Sequence, residues 1–447
     1  LTTMTSKPSV IIFGGLNTIS RALVALLVPL DAEPLVSHLR IVDKFSVVPA
    51  TTYVHLHSTR TIVHHLLSRY IGAEFPKILD NPLVEYRQAN LTVPAVVASC
   101  FEPPEGQAPY DYVFDYTGEV RNDRTEMVIL KIQINTTLNI SRLIGLEAAK
   151  HKVKAFVRIQ LPFYDTGSSS KSQHTEKDDI KPVNTIGIWW HETLRVLAAI
   201  EGLNLVILRT GFVYGPYTNY GIITSGITVA SVYGYLKKPM KSMWSPGKNP
   251  NNTVNVADVA GAAWACAEWI GPLGRTEANV LAGEEILFHN DKKKVREVEG
   301  MPPHDQKLIA PLFNLVDDSN STLLSIGEVV TSYFGTTFEF FTFVENAAMK
   351  ACRAINRCIN DDHVEEINEH HVSGWTEMIT TSKPPIPNTP LSAYMDSFAL
   401  AKHVLAYNNT KIKEVIGYNL KKPFFNHEAI KEVIDKWKEE GSWPNLD

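Results

Sequence analysis

Short, almost wholly apolar runs recur through the first half of the chain, separated by stretches with helical spacing. Residues 9–13, SVIIF, end in Gly14-Gly15 and lead into ISRALVALLVPL, which reads as strand, glycine turn, helix. LRIVDK (39–44) predicts a second strand closed by an acid, VEYRQANL (84–91) a third, and YDYVFDYTG (110–118) a fourth ending in Thr-Gly. An amphipathic helix over 132–150 and a fifth strand, VKAFVRIQL (153–161), follow. Residues 165–184 are polar and predict a surface loop; IWWHETLRVLAAIEG (188–202) is then helical and LNLVILRTG (203–211) extended. Strands this apolar, alternating with helices, are covered on both faces, which predicts an α/β fold with a doubly wound parallel sheet.

Beyond Gly211 the alternation loosens. Residues 222–240 predict a helix, MWSPGKNPNN (243–252) a loop, VADVAGAAWACAEWI (256–270) a strong amphipathic helix, and NHEAIKEVIDKWKEEG (426–441) a C-terminal one. FHNDKKKVREVEG (288–300) reads as a charged, solvated stretch. The expected division is a nucleotide-binding domain over 8–215, with parts of 250–290 returning to it, and a smaller, mostly helical substrate domain over 216–447. Three stretches break the rhythm and read as insertions: 54–70, 126–131 (EMVILK) and 349–360.

Composition narrows the function classes. The 447 residues are 44% hydrophobic and 20% charged, with a net charge of −5, so no basic footprint suits nucleic acid. No apolar run reaches membrane-spanning length and no secretory segment opens the chain, so the expectation is a cytoplasmic protein without a membrane partner. The four cysteines form no CxxC pair and read as free thiols. His55, His57, His64 and His65 cluster in the first odd stretch but lack a completing Cys or carboxylate, so no metal is expected.

The most informative motif is GGLNTISRAL (14–23). In a dinucleotide site the first glycine lets the chain turn, later small residues admit the pyrophosphate, and free N–H groups at the helix start hold it. Gly14 and Gly15 suit the turn; Asn17 and Ser20 stand at the next two small positions. Asp43, at the tip of the second strand, suits an adenosine ribose and favours NAD, while Arg40 and Lys44 beside it leave NADP open. Together the glycine turn, the helix and the acidic strand end predict a Rossmann-type nucleotide site, against a plain turn on an α/β scaffold.

Later segments carry a resemblance. LRTGFVYGPY (208–217) resembles the LRPxxVYGP segment of extended, or atypical extended, short-chain dehydrogenase/reductases, the NAD-dependent epimerase/dehydratase group. NTVNVADVAGA (252–262) resembles its HVxDVA segment, and FNLVDDSNST (313–322) a loop near the end of its sugar-nucleotide enzymes. The resemblance covers about residues 9–290. It implies that Gly14, Asn17 and Ser20 hold the cofactor fingerprint, Asp43 the ribose, Asn90 the adenine, and Thr117-Gly118 the strip beneath the cofactor. It also implies that Asn135 opens a helix and that Gly211 lies among the cofactor-lining positions. The helix of Trp189 and Trp190 would serve as core or as a homodimer interface.

The catalytic positions depart from that family. Its Tyr–xxx–Lys pair activates a tyrosine that moves a proton at the substrate oxygen. Counting back from Gly202 puts Gly187 at the Tyr position and His191 at the Lys position, and the Ser/Thr position falls near Gln160 or Leu161. Three residues are candidate substitutes: His191 as a proton relay near neutral pH, Tyr164 from just beyond strand five, and Tyr214 from VYGPY, against a surface histidine and two packing tyrosines. The expected function is an NAD(P)-dependent oxidoreductase or epimerase/dehydratase acting on a small alcohol, ketone or sugar nucleotide. The alternative is a catalytically inactive nucleotide-binding regulatory or interaction protein.

Overall fold

A computed structural model of the chain describes residues 7–47, 70–121, 124–167, 173–342 and 361–446. The stretches 54–69 and 349–360, with the four clustered histidines, lie outside the described residues.

Eight strands form the central sheet: β1 (Ser9–Phe13), β2 (His38–Asp43), β3 (Val84–Gln88), β4 (Tyr112–Asp115), β5 (Ala155–Gln160), β6 (Leu205–Thr210), β7 (Gly283–Glu285) and β8 (Ile309–Leu315). Their order is β7-β8-β6-β5-β4-β1-β2-β3, parallel except for β7 against β8. The first six strands follow the apolar runs. Alternation within each strand splits the core: Val10 and Ile12 face one side, and Ile11 and Phe13 the other. The first side is covered by helix α1 (Ser20–Leu27) and by Val259, Ala263 and Ile270 of α6 (Val256–Ala282). The second is covered by α2 (Pro94–Cys100), α3 (Glu126–Lys150) and α4 (Asn184–Ala198).

Two readings of the sequence are corrected here. The helix expected over 132–150 begins earlier, because EMVILK forms the first turns of α3, which runs on through wide π-helical turns at Gln133–Leu138. Such turns accommodate extra residues inside a continuous helix, and Asn135 lies within them rather than at a helix start. The segment beginning at Phe313 is not all loop, because Phe313–Leu315 close β8, which pairs with β6. Helix α6 bends at Gly274 (φ +71), two residues beyond Pro272.

The C-terminal lobe contains α5 (Ile222–Leu236), α7 (Leu323–Tyr333), α8 (Asp361–Thr381) and α9 (His427–Glu439) around their own apolar cluster. Asp258 near the start of α6 ties this lobe to the sheet, accepting from Tyr418 Oη and from the N–H groups of Lys421 and Lys422. No helix among the described residues is long and apolar enough to cross a membrane.

Candidate functional site

The strand–turn–helix at the end of β1 is tightly built. Gly14 takes φ +71, and a Cβ there would sit 2.9 Å from the Tyr116 carbonyl carbon and oxygen. Only glycine combines this conformation with this approach. A Cβ on Gly15 would lie 2.3 Å from Ile41 Cγ2. The N–H groups of both glycines donate to the Val42 carbonyl, at 2.9 and 3.2 Å.

Asn17 bridges the turn. Its amide nitrogen donates to the Tyr116 carbonyl at 3.1 Å, and its amide oxygen accepts the N–H groups of Ile19 and Ser20 at 2.9 and 2.8 Å. Ser20 Oγ donates to the Gly14 carbonyl at 2.8 Å. The donors at the head of α1, where a diphosphate would be received, are thus held by the amide oxygen of Asn17.

Asp43 is buried beside them. Its Oδ2 accepts from Leu16 N–H at 3.0 Å, and its Oδ1 from Lys44 and Phe45 N–H at 2.7 and 3.3 Å. A carboxylate offers about four lone-pair positions, so room remains for one further donor such as a ribose hydroxyl. Arg40 points away, contrary to the expectation that it could meet a 2′-phosphate. Its guanidinium is buried against Glu85 and the carbonyls of Cys100 and Glu102. Lys44 remains exposed, 4.0 Å from Glu119. Asn90 is exposed at the end of β3, where its Oδ1 accepts from Thr92 N–H and Oγ1. The turn and the acid suit the adenosine half of a dinucleotide, with Asn17 as the group that must yield.

Further along the strand ends the architecture changes. Thr117 donates to Asp115 through its N–H and Oγ1, at 2.9 and 2.6 Å, and its carbonyl accepts from Arg158 Nη1 at 2.7 Å. Arg158 and Asp115 form a fully buried ion pair at 2.9 Å. The Arg158 guanidinium lies over Trp190, 4.7 Å from the ring centroid. The same ring closes on Gly118, where a Cβ would lie 2.3 Å from it. The α4 side chain that meets Gly118 is therefore Trp190, one position before the residue counted as the Lys equivalent. Its indole N–H donates to the Glu119 carbonyl. Gly187 is pressed on Phe163, and Gln160 is buried with its amide nitrogen on the Leu161 carbonyl.

Tyr164 and His191, proposed separately from sequence, are brought together. Tyr164 Oη lies 2.9 Å from His191 Nδ1, while Nε2 lies 2.7 Å from the Leu287 carbonyl. A carbonyl only accepts, so Nε2 carries the proton and Tyr164 donates to Nδ1. Burial pulls the His191 pKa down to about 3, the Leu287 carbonyl opposing. His191 is therefore neutral at pH 7, which corrects the expectation of a relay titrating near neutrality. Burial also raises the Tyr164 pKa, with Arg209 over its ring acting the other way. Tyr214 is fully buried, its ring edge-on to Phe425 at 4.8 Å. Gly211 stands apart from the glycine turn, where a Cβ would meet the Asn252 carbonyl at 2.6 Å.

Sequence reasoning missed Arg158, Asp115 and Arg209, and gave Glu192 no role. A charged residue within an apolar strand was the available signal for the first three. Glu192 is fully buried, accepts His289 N–H at 3.0 Å and lies 3.4 Å from Arg195; burial pushes its pKa up to about 7.

This arrangement defines a class of fold, a Rossmann-type, mostly parallel sheet flanked by helices, with a glycine turn after its first strand. No protein-family model matches the chain, and a comparison with curated protein sequences finds no match. Solved structures do match along its length. The Bordetella bronchiseptica enzyme WbmG in complex with NAD is similar at 12% identity and TM-score 0.56, covering 100% of this chain and 99% of that one. A UDP-N-acetylglucosamine 4-epimerase from Methanobrevibacter ruminantium is similar at 12% identity and TM-score 0.56, covering 98% and 100%. A UDP-glucuronic acid 4-epimerase from Bacillus cereus, crystallised with UDP-glucuronic acid and NAD, is similar at 12% identity and TM-score 0.54, covering 96% and 99%. At this identity the likeness establishes the fold.

Proposed function

We infer that the chain binds NAD across the ends of β1, β2 and β4 and acts as an NAD-dependent, epimerase/dehydratase-like oxidoreductase. Its substrate would be a small alcohol, ketone or sugar nucleotide, and its location cytoplasmic. The observation that carries this reading is the glycine turn with Asp43: Gly14 at φ +71 against Tyr116, and a buried carboxylate with one acceptor position left. NAD would supply a hydride acceptor; Asp43 would hold the ribose, Asn90 the adenine side, and Thr117-Gly118 the strip beneath. Arg40 being engaged elsewhere favours NAD over NADP. The structural neighbours named above include complexes with NAD and with a uridine-linked sugar, which supports the same ligand classes here.

A second reading is a nucleotide-binding regulatory or interaction protein without turnover. Trp190 on Gly118 and the fully engaged Tyr164–His191 pair favour it. Calorimetric titration with NAD and NADP tests the binding that both readings share. Incubation with sugar nucleotides, hydroxysteroids and small ketones, with products read by mass spectrometry, separates them. An epimerase regenerates its cofactor and shows no net absorbance change, so the mass readout is required. NAD binding with product establishes the first reading, NAD binding without product the second, and no NAD binding sinks both.

A further inference from the structure

The strand order puts a switch point between β1 and β4. The chain runs outward from β1 through β2 and β3, then returns to the other side of β1 with β4, β5 and β6. A dinucleotide laid across the carboxyl ends of such a sheet has one half on each side of that point. On the β2 side stand the glycine turn and Asp43, which suit an adenosine diphosphate. Beyond the ends of β4 and β5 the chain's own side chains take the place of a ligand. Trp190 reaches across from α4 and presses on Gly118, where a Cβ would lie 2.3 Å from its Cζ2. Gly118, at φ +139, leaves open a close approach that a ligand can use. Here an indole uses it.

Three contacts fix that ring. Its N–H donates to the Glu119 carbonyl at 3.1 Å, Phe163 meets it edge-on at 5.6 Å between centroids, and the Arg158 guanidinium lies 4.7 Å from its centroid. Arg158 is itself anchored, by Asp115 at 2.9 Å and by the Thr117 carbonyl at 2.7 Å. Its Nε and Nη2 are buried without a hydrogen-bond acceptor, so the negative face of the indole is what compensates that end of the cation. Trp190 is 2% exposed.

We propose that Trp190 is the specificity-determining residue of the nucleotide site: it fills the place of the ligand's second half, so the chain holds nucleotides through their adenosine diphosphate half alone. ADP-ribose and NAD then bind alike, with the nicotinamide riboside outside the strand ends. Seating that riboside would require the indole to leave Gly118, give up its hydrogen bond and uncover a buried cation, all of which the ligand's contacts would have to offset. The proposal rests on the nucleotide binding inferred above and concerns which half of the ligand carries it.

Calorimetric titration of the full chain with ADP-ribose and with NAD tests it. The two affinities should differ by less than about threefold. Trp190→Ala should leave ADP-ribose unchanged and tighten NAD at least about tenfold relative to it. Should that variant lose its fold, Trp190→Phe keeps a ring face for Arg158 but falls short of Gly118, and should favour NAD by at least about threefold. Hydrogen exchange on the wild type gives a reading without any variant. Both ligands should protect 14–21 and 43–45, and NAD should protect 117–119 and 187–192 no more than ADP-ribose does. The proposal is overturned by NAD binding the wild type at least about tenfold more tightly than ADP-ribose, by extra protection of 117–119 with NAD, or by an unchanged ratio in the variant that folds. If neither ligand binds the wild type or the variant, the nucleotide reading itself falls, and the proposal with it.

Discussion

Gly187 on α4 lies against Phe163 so closely that a Cβ on it would sit 2.7 Å from the Phe163 carbonyl oxygen and 2.9 Å from its Cβ. The position counted as the family's tyrosine therefore has no space for any side chain. Gly187→Ala gains about 1 kcal/mol of helix propensity but forces the Phe163 backbone away, an overpacking cost of roughly 1–3 kcal/mol. Urea unfolding should show a stability equal to or lower than wild type, and Gly187→Tyr should be far more damaging. A Gly187→Tyr variant as stable as wild type would mean that the 161–164 segment moves freely.

Asn17 yields a prediction of opposite signs. Its amide oxygen holds the N–H groups of Ile19 and Ser20, the donors a diphosphate would use. Asn17→Gly should bind NAD about tenfold more tightly, roughly 1.4 kcal/mol, because no side chain has to leave. The same variant should lose a few tenths of a kcal/mol of stability without ligand, as for a capping residue replaced by glycine. Calorimetry and urea unfolding read the two effects separately. Weaker binding in Asn17→Gly would make Asn17 a phosphate ligand instead of a competitor.

The choice between NAD and NADP turns on which cation is available. Arg40→Met should leave the ratio of the two affinities unchanged, since its guanidinium is spent on Glu85, Cys100 and Glu102. Lys44→Ala should weaken NADP alone, because this ammonium is exposed beside Asp43. Asp43→Ala should weaken NAD most, and should also cost stability by leaving Leu16, Lys44 and Phe45 N–H without their acceptor. A shift of the ratio in Arg40→Met would mean that this arginine swings outward on binding.

These sites differ in how far the sequence exposes them. The glycine turn and strands β1 to β6 are local, with apolar runs, a positive-φ glycine and an acid at a strand tip, and each can be read along the chain. Strand β8 was hidden by Pro311 within it and by a polar asparagine facing Arg209. The segment 286–306 was hidden because FHNDKKKVREVEG is charged at most positions, while Phe288, Val295 and Val298 turn inward and His289 packs against His191. It reads as solvated until the helix pair beneath it is known. His191 shows the same limit from the other side. A histidine on a helix suggests proton chemistry, and only the packed neighbours reveal that both its nitrogens are used in holding Tyr164 and Leu287.

His191 and Glu192 lead to the sharpest pH prediction, because burial shifts them in ways that oppose each other. Glu192 holds its proton up to about pH 7 in the folded chain, against about 4.3 when unfolded. Between those values the folded state binds more protons, so this group makes stability fall as pH rises, by up to about 1.4 kcal/mol per pH unit. His191 loses its proton at about pH 3 when folded but at about 6.5 when unfolded. Here the unfolded state binds more protons, so stability rises with pH over that window and is lost progressively as pH falls through it. From about pH 4.5 to 6.5 the two contributions cancel. Relative to wild type, His191→Gln should therefore lose stability as pH is raised across this range, and Glu192→Gln should gain it. Urea unfolding of both variants and the parent at half-unit pH steps gives the difference curves, in which titrations common to all three drop out. Parallel curves for both variants would show that neither group is buried in the state that unfolds, whereas curves diverging as expected would assign any break in a turnover profile near pH 6.5 to a residue other than His191.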